Sequence, residues 1–193
     1  MKKIGVLAQQ GAFVEHIALL RRLEVEVSPV RLAGELEGLD GLIIPGGESS
    51  SIGKLMKEYA LAEPVSRLAE QGFPIMGTCA GMILMAKRVS GLNLEPLGVM
   101  DIEVKRNAFG RQVDSFETDL EIPVIGEPPF HAVFIRAPYI EKARDGVEIL
   151  ARLPNGIGVA ARQGNMVALA FHPELTNDLR LHGYFLGIVC GER

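Results

Sequence analysis

Cysteine is scarce in this sequence, since only Cys79 and Cys190 occur among its 193 residues. Two cysteines so far apart form neither a disulfide framework nor the ligand spacing of a zinc site, and no metal is expected. At least one of the two thiols is therefore free to act as a nucleophile.

Long apolar runs and clusters of positive charge are also missing. No apolar run approaches the roughly 18 to 20 residues that span a bilayer, and the one after Lys3 ends at Gln9, too early for a signal peptide. The formal net charge is −4, and Lys and Arg are scattered rather than clustered. The sequence predicts a cytoplasmic protein that binds neither membranes nor nucleic acid.

Two nucleotide-binding motifs are incomplete. The spacing from Gly47 to the Gly-Lys pair at 53–54 is one residue too long for a Walker A loop. Leu55 also stands where Ser or Thr must hold magnesium. The turn after the first apolar run has one glycine, Gly11, instead of the three of a dinucleotide fingerprint. No cofactor is expected.

The first half of the sequence alternates short β-rich runs with helical patterns. The predicted strands are 3–8, 38–46 and 73–78, and the predicted helices are 13–23, 51–71 and 80–89. Strands separated regularly by helices indicate a parallel sheet that is covered on both faces.

From about Met100 apolar and polar residues alternate, with turn signals at 154–156 and 163–165. The alternating stretches are 101–125, 131–138 and 147–173. They predict antiparallel strands and hairpins joined to the edge of the parallel sheet, and a last helix follows over 178–190. The predicted fold class is α/β, a flavodoxin-like three-layer sandwich with a mostly parallel central sheet and an antiparallel extension, in a single domain over 1–193.

Residues 73–89, FPIMGTCAGMILMAKRV, place Cys79 between Gly77 and Gly81. An apolar run, a Gly-x-Cys-x-Gly turn and a helical run are the layout of a nucleophile elbow, with a thiol where hydrolases carry a hydroxyl. The amino terminus of the following helix favours thiolate over thiol. Cys79 is therefore the candidate nucleophile, whereas Cys190, in the apolar last helix, is predicted to be buried and structural.

Four histidines are candidates for the base that such a nucleophile needs. His16 is interpreted as a surface residue of the first helix, His182 lies in the last helix, and His131 begins a strand. His172 directly follows an apolar strand, at a carboxyl end like that of the elbow, and Glu174 lies close behind it. With the elbow cysteine, these two residues predict a nucleophile, a base and an orienting carboxylate.

Acyl transfer also needs hydrogen-bond donors for the oxyanion. The elbow offers the N–H of Ala80, and a second donor is expected from LIIPGGESSS, residues 42–51, where Gly46 and Gly47 allow backbone conformations that a side chain forbids. The alternative interpretation of this loop is a plain strand-to-helix turn with a serine N-cap.

Three motifs follow one another in the order typical of class I (triad) glutamine amidotransferase domains: PGGES (45–49), GTCAG (77–81) and FHPE (171–174). Three further motifs narrow this resemblance to the glutaminase subunits of pyridoxal 5'-phosphate synthases, the PdxT/SNO family: RNAFGRQVDSFE (106–117), FIRAP (134–138) and HPELT (172–176). The similarity runs over nearly the whole chain.

The resemblance implies that Cys79 is the nucleophile, His172 the base and Glu174 its orienting partner. It adds a set of residues that would bind L-glutamine: Gly47, Glu48, Ser49, Arg106, Ile135 and Arg136. The α-carboxylate and α-ammonium groups of glutamine need a cationic partner and an anionic or carbonyl partner. For both arginines a surface ion pair is the alternative interpretation.

The activity that the resemblance implies is hydrolysis of L-glutamine to L-glutamate and ammonia through a γ-glutamyl thioester, with Gly47 and Ala80 as oxyanion donors. It also implies a hetero-oligomer with a PdxS-type synthase subunit, to which ammonia is channelled for pyridoxal 5'-phosphate (vitamin B6) biosynthesis. Docking would complete the oxyanion hole around Gly46 and Gly47, with Gln10 at the contact.

Other functions remain open at this point. A glutaminase serving another synthase, of the imidazole glycerol phosphate or anthranilate type, or a γ-glutamyl hydrolase would carry the same triad. Only RNAFGRQVDSFE and the partner discriminate between these enzymes. A catalytically silent binding subunit on the same fold is a different class of protein, against which the intact Cys, His and Glu argue.

Overall fold

The computed structural model describes residues 1–91, 95–106 and 115–192. Their strands are β1 (Lys3–Leu7), β2 (Glu26–Val30), β3 (Gly41–Ile44), β4 (Ile75–Thr78), β5 (Ala86–Ser90), β6 (Met100–Lys105), β7 (Ser115–Leu120), β8 (Phe130–Ile135), β9 (Tyr139–Ala143), β10 (Glu148–Arg152), β11 (Gly158–Gln163) and β12 (Met166–Leu169). Their α-helices are α1 (Phe13–Arg22), α2 (Ser49–Glu58), α3 (Ala62–Glu70), α4 (Ala80–Met85) and α5 (Arg180–Val189). Short 3-10 turns lie at Ala33–Leu36, Pro123–Ile125 and Pro173–Leu175.

The central sheet has the strand order β2-β1-β3-β4-β12-β11-β9-β6-β5, with β10 paired to β11. Strands β2, β1, β3, β4 and β12 are parallel, and β11 and β9 continue the sheet in antiparallel pairings. Every residue of β3 and β4 is buried, as expected for parallel strands covered on both faces. The predicted α/β fold with a mostly parallel sheet and an antiparallel extension is confirmed.

Two neighbouring strands of the parallel half bring distant parts of the chain together. Thr78, the last residue of β4, pairs in register with Leu169, the last residue of β12. The carboxyl ends of parallel strands share one edge of the sheet, and ligands bind in the crevice outside that edge. The residues that follow Thr78 and Leu169 therefore lie close together at the edge where a site is expected.

The helix predicted over 80–89 is shorter than expected, because α4 ends at Met85 and β5 begins at Ala86. Strand β5 pairs in parallel with β6, and Lys87 forms an ion pair with Asp101 at 2.7 Å. Pairing with β6 is a long-range interaction, and it overrides the local helical pattern of these residues.

Three other elements differ from the prediction. The helical run 51–71 is split into α2 and α3, with Ala60 between them in a left-handed conformation at φ 52°. Strands β7 and β8 pair with each other in a separate two-stranded sheet rather than at the edge of the central sheet. Strand β2 was not predicted, because a proline such as Pro29 argues against a strand inside a sheet. The strand forms because it lies at the edge of the sheet, where a proline is tolerated.

The hairpin turns of the extension lie where the turn signals predicted them. Gly156, between β10 and β11, and Gly164, between β11 and β12, adopt φ 85° and φ 58°. Both hairpins are antiparallel, and the second returns the chain to the parallel half beside β4. Within the described ranges, no helix combines the length and apolar character needed to cross a membrane.

Candidate active site

The thiol of Cys79 sits at a sharp turn between β4 and α4. The backbone of Cys79 lies at φ 49° and ψ −101°, a conformation that residues with side chains rarely adopt. A Cβ at Gly81 would lie 2.1 Å from the carbonyl oxygen of Ile44, so only glycine lets α4 begin this close to β3. The chain thus has the backbone geometry of the predicted elbow.

His172 reaches the elbow because β12 runs beside β4. The N–H of Cys79 donates to the carbonyl of Leu169 at 2.8 Å, and the N–H of His172 donates to the carbonyl of Val133 at 2.9 Å. A Cβ at Gly46 would lie 2.3 Å from Cε1 of His172 and 3.3 Å from Cβ of Cys79. Imidazole and thiol therefore meet beside Gly46, whose missing side chain leaves room for the ring.

Glu174 holds the imidazole of His172 from behind. The Nδ1–H of His172 donates to Oε1 of Glu174 at 2.6 Å, and both residues are buried. Burial alone lowers the pKa of His172, but hydrogen bonds and charge attraction from Cys79 and Glu174 outweigh it and raise this pKa to about 10. A protonated His172 is thus favoured beside Cys79, in the state that can protonate a leaving group.

An open cleft of about 360 Å³ contains Cys79 and His172. It is lined further by the predicted glutamine-binding residues Gly47, Glu48, Ser49, Arg106, Ile135 and Arg136, and by Gln10 and Ile83. The structure therefore brings all six predicted binding residues to the predicted nucleophile. Ala80, the predicted oxyanion donor, is the first residue of α4.

Glu48 and Arg106 are bonded to each other at one side of the cleft. Arg106 donates to Oε1 of Glu48 at 3.2 Å. The Glu48 carboxylate also accepts from the N–H groups of Ser50 and Ser51, so Glu48, and not a serine, is the N-cap of α2. The hydrogen bond from the Ser51 hydroxyl is the main cause that lowers the pKa of Glu48, with Arg106 contributing less. The Arg106 side chain is thus ion-paired, as the alternative interpretation stated, and it also lines the cleft.

The remaining lining residues offer polar atoms to a ligand. The hydroxyl of Ser49 is buried and has no hydrogen-bond partner within the described part of the chain. The carbonyl of Ile135 accepts from the thiol of Cys79 at 3.9 Å, and Arg136 follows in a left-handed conformation at φ 41°. Buried polar groups are normally hydrogen-bonded, so the orphaned hydroxyl is a candidate contact for bound substrate.

Gln10 connects the turn after β1 to the glycine-rich loop. Its Oε1 accepts from the N–H of Glu48 at 3.0 Å, and the N–H of Ala12 donates to the carbonyl of Gly46, also at 3.0 Å. The C=O and N–H of a trans peptide point in opposite directions, so the N–H of Gly47 faces away from Ala12. Movement of the turn at Gln10 would therefore change the positions of Gly46 and Gly47 through these two hydrogen bonds.

Two histidines that the sequence left outside the site lie directly behind it. The interpretation of His16 as a surface residue is wrong, because its side chain is completely buried and its Nε2 lies 3.3 Å from Oε2 of Glu174. Its Nδ1 lies 2.9 Å from Nε2 of His182, which is also buried. A helical pattern records only the period of apolar residues, and His16 next to the charged Glu15 gave no signal of burial.

The two other candidates are exposed. Cys190 ends α5 at the surface, so its predicted burial is wrong: the apolar face of the helix stops at Val189. His131 lies on β8 between Asp119 and Glu117, at 2.9 Å and 2.8 Å, and Asp119 is the first cause that raises its pKa. Residues 107–114 of RNAFGRQVDSFE lie outside the described residues, while Arg106 falls within them.

A doubly wound sheet with a cysteine elbow after one central strand, and a histidine and glutamate after the next, is the architecture of class I glutamine amidotransferases. The profile of the SNO glutamine amidotransferase family matches residues 6–190. The chain belongs to this family.

Known proteins similar to this chain agree with that assignment. It is 61% identical over 187 residues to the pyridoxal 5'-phosphate synthase subunit PdxT of Moorella thermoacetica, covering 97% of this chain and 99% of the relative. It is 57% identical over 188 residues to the subunit of the same name from Herpetosiphon aurantiacus, covering 96% and 99%. A crystal structure of a glutamine amidotransferase superposes with a TM-score of 0.92 at 51% identity, covering 97% of this chain and 98% of that one.

Proposed function

We propose that this chain hydrolyses L-glutamine to L-glutamate and ammonia through a thioester on Cys79, and that it supplies the ammonia to the synthase subunit of a pyridoxal 5'-phosphate synthase. The observation that carries the chemistry is the convergence of Cys79, His172 and Glu174 at one end of a cleft lined by charged and polar groups. The names of the relatives support the choice of synthase.

The first half of the reaction forms the thioester and releases ammonia. The Cys79 thiolate attacks the carbonyl carbon of the glutamine side-chain amide, and the N–H groups of Gly47 and Ala80 hold the resulting oxyanion. As the carbon–nitrogen bond breaks, the His172 imidazolium donates its Nε2 proton to the departing nitrogen. The products of this half are a γ-glutamyl thioester, ammonia and neutral His172.

The second half returns the enzyme to its starting state. Neutral His172 takes a proton from water, and the oxygen of that water attacks the thioester carbonyl carbon. The carbon–sulfur bond breaks, so Cys79 leaves as thiolate beside a protonated His172, and glutamic acid ionises to glutamate. Glu174 keeps Nδ1–H of His172 oriented throughout, so that Nε2 always faces the thiol and the substrate.

Recognition of glutamine is assigned to the charged and polar residues that line the cleft beside Cys79 and His172. The Arg106 guanidinium supplies positive charge for the α-carboxylate, and Glu48 supplies negative charge for the α-ammonium. The Ser49 hydroxyl, the Ile135 carbonyl and Arg136 line the same cleft. A free α-amino acid therefore meets both charges that it needs, while its side-chain amide points to the thiol.

Docking on the synthase subunit is proposed to control this chemistry through the turn at Gln10. Free ammonia is lost to solvent as ammonium, so hydrolysis is useful only when an ammonia-consuming enzyme is attached. The bonds from Gln10 to Glu48 and from Ala12 to Gly46 give a direct mechanical link from that turn to the oxyanion loop. Pressure on the turn would reorient the Gly46–Gly47 peptide at small steric cost.

The test is the rate of glutamate and ammonia release from glutamine, with and without added synthase subunit. We expect feeble hydrolysis by the chain alone, a large increase on complex formation, and no activity from Cys79→Ala under either condition. Cys190→Ser is the matched control and should behave as the unmodified chain, since Cys190 lies at the surface outside the cleft. Full activity without the subunit and no response to it would refute the docking control, and an active Cys79→Ala would refute the nucleophile.

A further inference from the structure

Glu174 has one oxygen that the triad leaves without a hydrogen bond. Oε1 accepts from His172, whereas Oε2 is buried and has no hydrogen-bond partner within the described residues. A buried carboxylate oxygen without a donor is costly, because burial removes the water that would otherwise solvate its charge. The side-chain nitrogen facing this oxygen is Nε2 of His16, at 3.3 Å.

The imidazole of His16 is held from two other directions. Its Nε2 also lies 3.1 Å from Oγ1 of Thr78, the residue before the elbow cysteine. Its Nδ1 lies 2.9 Å from Nε2 of His182 in α5, and Nδ1 of His182 has no partner among the described residues. These contacts fix the ring between α1, α5 and the end of β4, with Glu174 beside it.

One arrangement of protons gives the ionised carboxylate of Glu174 a donor. If Nε2 of His16 were bare, its lone pair would face the Glu174 carboxylate, and Oε2 would still lack a donor. With the proton on Nε2, His16 donates to Oγ1 of Thr78 and, after a small rotation of the ring, can share that proton with Oε2 of Glu174 at 3.3 Å, while its bare Nδ1 accepts from Nε2–H of His182. The orphaned Nδ1 of His182 is then a bare lone pair, which costs less than a buried N–H without an acceptor.

A neutral His16 agrees with its surroundings. Burial is the main cause that holds the pKa of His16 well below its usual value, and the neighbouring His182 and His172 lower it further. Burial also lowers the pKa of His182 to about 4. Positive charge is thus kept on His172, next to the thiol, and away from the ring behind Glu174.

We propose that His16 is a positioning residue for the triad: its neutral Nε2–H donates to Oε2 of Glu174, and His182 fixes the tautomer that makes this possible. The chain of contacts runs from Cys79 through His172 and Glu174 to His16 and His182. With both oxygens held, the carboxylate cannot rotate away from Nδ1 of His172. The kinetic consequence rests on the proposed glutaminase function, whereas the hydrogen-bond arrangement does not.

Three variants separate positioning from stability. His16→Leu removes the donor, and His16→Gln places an amide N–H near the position of Nε2. Leu20→Ala is the matched control, because Leu20 is a buried residue on the same face of α1 that has no role in the contact chain. Truncating its side chain should destabilise the protein without moving a proton donor.

Steady-state kinetics with the synthase subunit present give the first readout. Hydrogen-bonding partners that orient metal-ligating side chains typically contribute about 10- to 100-fold, and we take the same order for a residue that orients Glu174. We expect His16→Leu to lower kcat by about 10-fold or more with KM for glutamine nearly unchanged, His16→Gln to recover most of that loss, and Leu20→Ala to keep kcat. Equal kcat in the unmodified chain and a folded His16→Leu would overturn the proposal, as would an equal loss in Leu20→Ala.

Nuclear magnetic resonance of the isolated chain with ¹⁵N-labelled histidine gives a readout that needs no enzymatic activity. We expect His16 to be the neutral Nε2–H tautomer at pH 7 and to stay neutral at pH 5. The low-field proton of His172 Nδ1–H should shift or broaden in His16→Leu and be retained in His16→Gln. A bare Nε2 on His16, or protonation of its ring between pH 7 and pH 5, refutes the arrangement even if the glutaminase is active. An inactive protein with the expected signals refutes the proposed function alone.

Discussion

At the scale of single residues, the two cysteines differ in exposure and in the side chains that surround them. Cys190 is at the surface, and Cys79 is only 6% exposed at the base of the cleft. A general thiol reagent meets Cys190 first, whereas in the proposed binding mode a reagent with the α-amino acid group of glutamine is held by the charges of Glu48 and Arg106, which line the cleft of Cys79.

We therefore expect a glutamine-like alkylating agent to label Cys79 and a simple alkylating agent to label Cys190 preferentially. Peptide mapping by mass spectrometry measures both, and excess glutamine should protect Cys79 alone. Arg106→Ala should abolish the preference of the glutamine-like agent for Cys79. Label from that agent mainly on Cys190 would exclude Cys79 as the nucleophile of the cleft.

His172 and Glu174 make unequal contributions to the same step. In the proposed mechanism His172 transfers protons, while Glu174 orients it without taking a proton itself. We expect His172→Ala to lower kcat by at least about 10-fold more than Glu174→Ala does. Steady-state kcat values of the two variants, measured in the presence of the synthase subunit, decide this, and a His172→Ala variant as active as the unmodified chain would remove the base from the mechanism.

Sequence could identify Cys79 and His172 because each has a local signature, flanking glycines in one case and a preceding apolar strand in the other. His16 has no such signature. Its burial depends on α5 folding against α1, where His182 meets it. A local pattern does not report long-range contacts of this kind, so the sequence could not predict that His16 and His182 lie behind the triad.

At the scale of elements, the start of α4 and the loop after β3 each contain a glycine at a close approach to a neighbouring group. A methyl group at Gly81 would collide with backbone, whereas one at Gly46 would collide with the ring of His172. The first collision displaces a helix from the sheet, and the second displaces a proton-transferring side chain. Gly81 is therefore needed for the packing of α4 on the sheet, whereas Gly46 is needed for the position of the His172 side chain.

We expect Gly81→Ala to lower both stability and activity, and Gly46→Ala to lower kcat with a smaller change in stability. Gly183→Ala is the matched control: Gly183 lies inside α5, and no atom of the described residues outside its own helix backbone and chain neighbours lies within 4 Å of the added carbon. Replacing a helical glycine with alanine there should stabilise the protein by about 0.5–1 kcal/mol. Urea unfolding midpoints and kcat measure both effects, and an unaffected Gly81→Ala would contradict the close approach.

The elements that sequence missed are those that depend on distant neighbours. Strand β5 replaces the end of a predicted helix because β6 is available to pair with it, and β2 forms despite Pro29 because it lies at an edge. The parallel strands β1, β3 and β4 were predictable because their apolar runs are short and bounded by helical patterns. Local pattern therefore predicted the central strands better than the edges.

At the scale of the whole molecule, the buried histidines link stability to pH. The pKa of His16 and His182 is lowered by burial, so the unfolded chain binds protons at these positions below about pH 6.5 and the folded chain does not. Stability therefore falls as pH decreases in this range. The raised pKa of His172 acts in another window: its contribution is fully present below about pH 6.5 and is lost as pH rises towards 10.

We expect the free energy of unfolding to fall as pH decreases from 6.5 to 5, with a slope that approaches about 1.4 kcal/mol per pH unit for each of the two buried histidines. Urea unfolding at several pH values measures the slope, and His182→Phe should reduce it by roughly half. His131→Gln is the control: His131 is exposed and its pKa is raised, so the acid slope should stay as it was. A slope that His182→Phe leaves unchanged would contradict neutral burial of this residue.

The pairing of β4 with β12 also has a consequence for the order in which the protein acquires its chemistry. Thr78 and Leu169 are neighbours in the sheet, yet the whole antiparallel extension lies between them along the chain. The loop between them must close before the contacts of this strand pair can form, and contacts so distant along the chain form slowly. The thiol should therefore exist for some time without its base during refolding. During refolding from denaturant, the backbone amides of β1 and β3 should become protected from hydrogen exchange first. Selective alkylation of Cys79 by the glutamine-like agent should appear only afterwards, so this reactivity reports a late step of folding.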